Sequence, residues 1–496
     1  MKFRANFLAV SALAAAISWP AATTAASLVV PFGNLGFEPC TLAPAGQSFT
    51  VAARCTTLRV PEDRAHPAGR QIDLAIAWVP SKSKQPLADP VLMLAGGPGQ
   101  SALEAFPMVA GTFGDVLRRR HVILVDQRGT GGSNALECPE AFGDETTSAM
   151  DFDAAAAKAL AQSCLEELAD ADPRFYTTSD YIADLEAVRE ALQVAQLNLV
   201  GVSYGTRVAL EYLRRHPGHV RTVMLDSVVP PSLILGSEHA RNLEDAIDAQ
   251  FARCDADATC RARFGSPRAK LDALLARLRQ KPEQVAYHDP VTNDMREGQL
   301  TAEAVAGVVR LHAYAPQMFA MLPMLLAAAE EGRYETLMAQ ARMVEQLVGE
   351  QISIPLQLSV SCAEDEPWLQ ARPADRDTLI GTAFVDMTHA QCSVWPRGSA
   401  PADFHAPVKA AQPVLMLSGE LDPVTPPRYG AEVGKTLPQS RHLVLRGQGH
   451  SVMGIGCTPK LIGQFIERAD AKQLDASCLD QLMYVPPFAG SYGWDP

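Results

Sequence analysis

Between about residues 50 and 230, short apolar, β-branched runs alternate with longer stretches whose apolar positions recur at three- and four-residue steps. The short runs TTLRVP, IDLAIAWVP, PVLMLAGG, HVILVDQRG, LNLVGVS and VRTVMLD read as strands. Tyr181–Val194 (YIADLEAVREALQV) carries the helical period, and VALEYLRRHP, directly after LNLVGVS, reads as a second helix. Strands that are apolar almost throughout, separated by helices, predict an α/β fold with a mostly parallel sheet covered on both faces.

After DSVVPPS the rhythm changes. From about 235 to 405 the pattern is almost entirely helical, in NLEDAIDAQFARC, PRAKLDALLARLRQ, TAEAVAGVVRLHAY and the long run from Met318 to Leu347. Strand patterning returns at QPVLMLSGELDP and SRHLVLRGQGH, and the helical PKLIGQFIERADA follows. The expected organisation is therefore a core in two parts, residues 27–234 and 406–496, with a large helical cap insertion over 235–405. The Met and Leu residues of 318–326 fit either a buried helix face or the lining of a ligand pocket.

The first residues stand apart from this pattern. Lys2 and Arg4 precede an apolar run from Phe7 to Trp19, and small residues continue to Ala26. That order predicts a secretory signal peptide over 1–26 and a periplasmic or extracellular protein. The apolar run is shorter than the roughly 20 residues a bilayer span requires, so no stable membrane anchor is expected. The formal net charge is −13, and loss of the leader's two cations takes it to −15. With scattered charges and no basic face, a nucleic acid is not an expected partner. The chain has ten cysteines, an even number suited to disulfides in an exported protein. Pairing neighbours would give Cys40–Cys55, Cys138–Cys164, Cys254–Cys260, Cys362–Cys392 and Cys457–Cys478, one connectivity among many. The absence of CxxC and HxxxH clusters argues against zinc, so no metal is expected. Oligomeric state leaves no signal in the sequence.

GVSYG (Gly201–Gly205) fits G-x-S-x-G between a buried strand and a helix, the setting in which a sharp turn exposes a serine hydroxyl. A helix-capping role for Ser203 is the plainer alternative. A nucleophilic serine needs a base, and the base needs a carboxylate to hold its tautomer. GELDPVTPP places Asp422 just past one late strand, and GQGHS places His450 just past the next. Asp226, at the end of VRTVMLD, competes for the acid's role, and a structural histidine is the bland alternative for His450. Gly96, Gly97, Pro98 and Gly99 follow another strand, so the amide of Gly97, with that of Tyr204, is expected to form an oxyanion hole. A simple turn would explain the same glycines.

GGPGQS, DQRGTGGS (Asp126–Ser133), GVSYGTR, GELDPVTP and GQGHS, in this order, resemble the proline iminopeptidase and tripeptidyl aminopeptidase family of secreted serine exopeptidases. The resemblance runs from about residue 50 to the end and implies an α/β-hydrolase fold, whose triad order Ser203, Asp422, His450 the chain keeps. Single-residue enzymes of that family usually carry a histidine where this chain has Ala95, whereas SCAEDEPW, the long insertion and the cysteines look like the tripeptidyl branch. The implied activity is cleavage near the amino terminus of a peptide substrate, without a cofactor. An aminopeptidase must hold a charged α-amino group, and Glu364 and Asp365, with Glu366 beside them, are the candidates. A solvated acidic loop is the other reading of that run. The same triad would also serve a carboxylesterase or lactone hydrolase.

Overall fold

A computed structural model of the protein describes residues 29–44, 46–142 and 153–489, so the expected signal peptide lies outside the described residues. The strands are β1 (Val30–Phe32), β2 (Leu35–Leu42), β3 (Val51–Pro61), β4 (Gln71–Val79), β5 (Val91–Leu94), β6 (Val122–Val125), β7 (Leu197–Val202), β8 (Val220–Asp226), β9 (Glu283–His288), β10 (Met295–Leu300), β11 (Val414–Gly419) and β12 (Ser440–Leu445). Ten of them form one sheet in the order β1-β2-β3-β4-β6-β5-β7-β8-β11-β12. The side from β6 to β12 is parallel, and β1 to β4 extend it antiparallel. The sheet is thus completed by β11 and β12, which return after the insertion and pair on β8.

The continuous apolar runs are explained by burial on both faces. Leu92, Leu94, Leu199, Val223, Leu225, Val414 and Met416 enter one hydrophobic cluster. Their neighbours Val91, Met93, Val200, Met224, Leu415 and Leu417 enter another, because successive side chains of a strand point to opposite faces. Helices Thr178–Ala191 and Tyr204–Arg215 cover the first face with Ile182, Leu185, Val208 and Tyr212. Helices Ala102–Val109 and Thr458–Arg468 cover the second with Phe106, Leu461, Ile462 and Phe465.

The insertion builds a third cluster of its own, with Leu243, Ile247, Phe251, Leu271, Val305, Val309, Leu322 and Leu326. Phe319, Leu322, Leu325 and Leu326 lie in that cluster, which resolves the Met and Leu stripe in favour of a buried helix face. Two departures from the predicted pattern occur here. EQVAYH and MREGQL form the antiparallel hairpin β9–β10 where helix alone was expected. Its period is two, with Val285 and Tyr287 buried between exposed neighbours, and Asp289 closes the turn by accepting the amides of Val291 and Thr292. The run from Met318 is broken into Pro316–Phe319, Leu322–Glu330 and Glu335–Gln351 by Pro323 and by Gly332, whose φ is +81°. Helix Ile354–Glu364, inside the 235–405 segment, packs Leu356, Leu358, Val360 and Cys362 into the main core instead.

All ten cysteines are paired between sequence neighbours: Cys40–Cys55, Cys138–Cys164, Cys254–Cys260, Cys362–Cys392 and Cys457–Cys478. No helix of the described residues is long and apolar enough to cross a membrane.

Candidate active site

Strand β7 ends at Val202 and the next helix begins at Tyr204, so Ser203 alone makes the turn. It does so at φ +54°, ψ −121°, a backbone conformation that costs roughly 1–3 kcal/mol for a residue with a Cβ. Although Ser203 stands at the helix N-cap, its side chain makes no capping hydrogen bond, and the hydroxyl is left uncommitted. The flanking glycines answer to close packing: a Cβ on Gly205 would lie 2.3 Å from the carbonyl oxygen of Leu94, at the end of β5. Any side chain there would push the turn off the neighbouring strand.

The parallel order β5-β7-β8-β11-β12 brings the carboxyl ends of these strands to one edge of the sheet. Ser203 follows β7, Asp422 lies in the turn after β11, and His450 lies in the loop after β12. His450 Nδ1 sits 2.8 Å from Oδ2 and 3.0 Å from Oδ1 of Asp422. That contact holds the proton on Nδ1 and leaves Nε2 as the basic nitrogen. Asp422, 2% exposed, also accepts the amides of Val424 and Thr425 and the hydroxyl of Thr425. Burial works against its charged form, but the imidazole of His450 and these donors outweigh it and lower the carboxyl's pKa. For His450 burial disfavours the cation, yet the charge and hydrogen bond of Asp422 win and raise its pKa.

The rival acid, Asp226, is otherwise engaged. Its carboxylate accepts the amides of Val452 and Met453, two and three residues past His450, and burial pushes its pKa up to about 6. Its carbonyl accepts the amide of Ser203 at 2.9 Å, and Ser227 Oγ accepts the amide of Ser451. Asp226 therefore fastens the histidine loop to the serine turn.

The loop after β5 carries Gly96 and Gly97, with Gly97 at φ +106°, which favours a glycine. A Cβ on Gly96 would meet Cβ of Ser203 at 3.4 Å, so this loop lies against the serine. Tyr204, at the helix start, has an amide that no preceding helical carbonyl can take up. DQRGTGGS proves to be the support behind this loop. Asp126 Oδ1 accepts from Ser101 Oγ at 2.7 Å and from the amide of Leu103, and Oδ2 accepts from Gly132 N, holding the helix that begins at Ala102. Arg128, fully buried, makes paired 2.6 Å bonds to Asp184 and donates to the carbonyls of Glu62 and Phe175.

Glu364 and Asp365 do not line the cleft as expected. Each is 1% exposed and already has partners within the chain. Asp365 accepts from Arg207 at 2.8 and 3.2 Å and from the amide of Leu235. Glu364 accepts the amide of Thr178 at 2.6 Å and its hydroxyl at 2.8 Å; that hydroxyl meets the phenol oxygen of Tyr204 at 2.6 Å. Burial pushes the Glu364 carboxyl up to about 8, with Arg207 opposing and Asp365 adding to the shift. The physical reason lies in their placement at the end of a helix that belongs to the main core, so neither a solvated loop nor an open amine site results. Glu366 pairs with His389 and Arg397.

Two further residues were not singled out from the sequence. Thr425 Oγ1 lies 3.3 Å from His450 Nδ1 as well as on Asp422, a role that its spacing of three from the aspartate in DPVT hints at. Tyr314, from the insertion, accepts the amide of His450 on its carbonyl and packs its ring edge-on at 5.1 Å. No local sequence signal marks a contact 136 positions distant in the chain.

A family model described as alpha/beta hydrolase fold matches residues 89–455. Serine protease Hip1 of Mycobacterium tuberculosis is 23% identical over 483 residues, covering 89% of this chain and 90% of that protein. Carboxylesterase B of the same organism is 26% identical over 476 residues, covering 87% of each. Tripeptidyl aminopeptidase of Streptomyces lividans is 31% identical over 194 residues, which is 36% of each chain.

Proposed function

The chain belongs to the α/β-hydrolase family and is a serine hydrolase; from that premise we propose that it is an exported aminopeptidase releasing single residues to tripeptides from peptides. The observation that carries the mechanism is the His450–Asp422 contact at the same sheet edge as the uncapped Ser203. Ser203 Oγ attacks the scissile carbonyl while His450 Nε2 takes its proton. Asp422 keeps the imidazole in the tautomer this requires and stabilises the imidazolium that forms. The amides of Gly97 and Tyr204 receive the oxyanion of the tetrahedral intermediate. His450 then protonates the departing amine, leaving an acyl-enzyme on Ser203 that water hydrolyses by the same steps in reverse roles.

Similarity to a serine protease along nearly the whole chain, and to a tripeptidyl aminopeptidase over part of it, supports a peptide substrate. The disulfide pairs support a periplasmic or extracellular location. A carboxylesterase is the second reading, favoured by the likeness to Carboxylesterase B. Incubation with aminoacyl, dipeptidyl and tripeptidyl amides and with simple esters, beside a Ser203→Ala control, separates the two. Amide turnover supports the peptidase, and ester turnover alone establishes the esterase.

A further inference from the structure

The loop after β5, GGPGQS, carries two polar side chains besides its backbone amides. Ser101 is committed to Asp126, its hydroxyl donating to Oδ1 at 2.7 Å. Gln100 is committed at one end only: its Oε1 accepts the amide of Gly96 at 3.2 Å. That partner fixes which way the carboxamide lies, because the nitrogen end of a glutamine is a donor and cannot face another N–H. Nε2 is therefore turned away from Gly96. Among the described residues it has no hydrogen-bond partner, and the side chain is partly exposed.

Gly96 shows where this carboxamide stands. The position that a Cβ on Gly96 would take lies 3.4 Å from Cβ of Ser203 and 3.5 Å from Oε1 of Gln100. The serine side chain and the carboxamide thus flank one small space, which the missing side chain of Gly96 leaves open.

Both neighbours of Gln100 in the chain are held. The carbonyl of Gly99 accepts the amide of Ser353 at 2.9 Å, and Ser353 Oγ donates to the carbonyl of Leu136 at 3.1 Å. On the other side, Asp126 holds Ser101. With its own oxygen tied to Gly96, Gln100 presents Nε2 from a fixed support. A neutral donor fixed in this way needs little reorganisation when charge develops beside it, which is the requirement for stabilising an oxyanion.

We propose that Gln100 is a catalytic residue whose Nε2 donates a third hydrogen bond to the oxyanion, beside the amides of Gly97 and Tyr204. The bond forms as Ser203 Oγ adds to the carbonyl and the carbonyl oxygen takes up negative charge, and it weakens when the carbonyl re-forms. No proton passes through the carboxamide. The proposal rests on acyl transfer at Ser203, and it holds for a peptidyl acyl group and a simple ester alike.

Steady-state hydrolysis of p-nitrophenyl acetate and of a tripeptidyl p-nitroanilide by Gln100→Glu and Gln100→Met tests this, with kcat referred to active sites counted by fluorophosphonate titration. Gln100→Glu keeps an acceptor toward Gly96 and exchanges only the donor, so kcat should fall about 10²-fold or more on both substrates while KM stays within about threefold. Gln100→Met, uncharged and of similar length, should lose at least about tenfold, which separates a missing donor from an added charge. If Gln100→Glu does not fold, as read by its melting temperature, Gln100→Met carries the same comparison. Native kcat in the folded variants overturns the proposal. So does a loss confined to KM for the anilide, which would put the donor on a substrate carbonyl away from the reacting one. Native enzyme that hydrolyses the ester but not the anilide refutes the peptidase reading, and the ester arm still decides the role of Gln100.

Discussion

The amide of Ser203 donates to the carbonyl of Asp226 at 2.9 Å, while the carboxylate of the same aspartate takes the amides of Val452 and Met453. One buried residue thereby sets the separation between the serine turn and the histidine loop. Asp226→Asn replaces an acceptor oxygen with a donor facing an amide. The expected cost is about 1–3 kcal/mol of stability, with a drop in kcat of roughly tenfold or more from the displaced loop. Urea unfolding and steady-state kinetics check it; native values for both would remove Asp226 from this role.

Asp422→Asn should lower kcat by about 10³–10⁴-fold, because the amide favours the wrong imidazole tautomer. The pH profile gives a second readout. His450 must be neutral to accept the serine proton, and Asp422 raises its pKa, so native activity appears as pH climbs through a midpoint above 6.5. Without the negative charge that midpoint should move down. An unchanged acid limb would mean that another group controls it.

Glu364 makes a prediction about stability rather than turnover. Its folded value of about 8 lies above its ordinary 4.5, so the folded state holds the extra proton between those values. Stability contributed by this group is present below about 4.5 and is lost as pH rises to about 8, at up to about 1.4 kcal/mol per pH unit. Glu364→Gln mimics the protonated acid toward Thr178 and cannot ionise. It should match the native protein near pH 5 and exceed it near pH 9 in melting temperature; parallel curves for the two proteins would contradict the assignment.

Asp365→Ala leaves Arg207 buried without its anion, which should cost about 3–5 kcal/mol in chemical unfolding. A raised KM for free-amine peptides with unaltered stability would instead restore Asp365 to the substrate.

The centre of the sheet was legible because strands buried on both faces must be apolar almost without interruption, and β5 to β8 and β11 obey that rule. Hairpin β9–β10 was not, since its solvent face is polar and its three buried positions, Val285, Tyr287 and Leu300, are too few to stand out against helical neighbours. In the site, Ser203, Asp422 and His450 could be read because each follows a strand end in a local motif. Burial of Glu364 and Asp365 could not, because it depends on helix Ile354–Glu364 turning back into the main core. Tyr314 belongs to the same class: its meaning comes from where the insertion lands on the histidine loop, a tertiary contact without local pattern.

The central claim is acyl transfer from a peptide to Ser203. The direct measurement is intact-mass and peptide-mapping spectrometry of enzyme quenched in acid during turnover of a tripeptidyl p-nitroanilide. The account predicts a mass increase equal to the N-terminal acyl piece, located on Ser203 and absent from Ser203→Ala. An adduct at another residue, or turnover of the anilide by Ser203→Ala at the native rate, would contradict it.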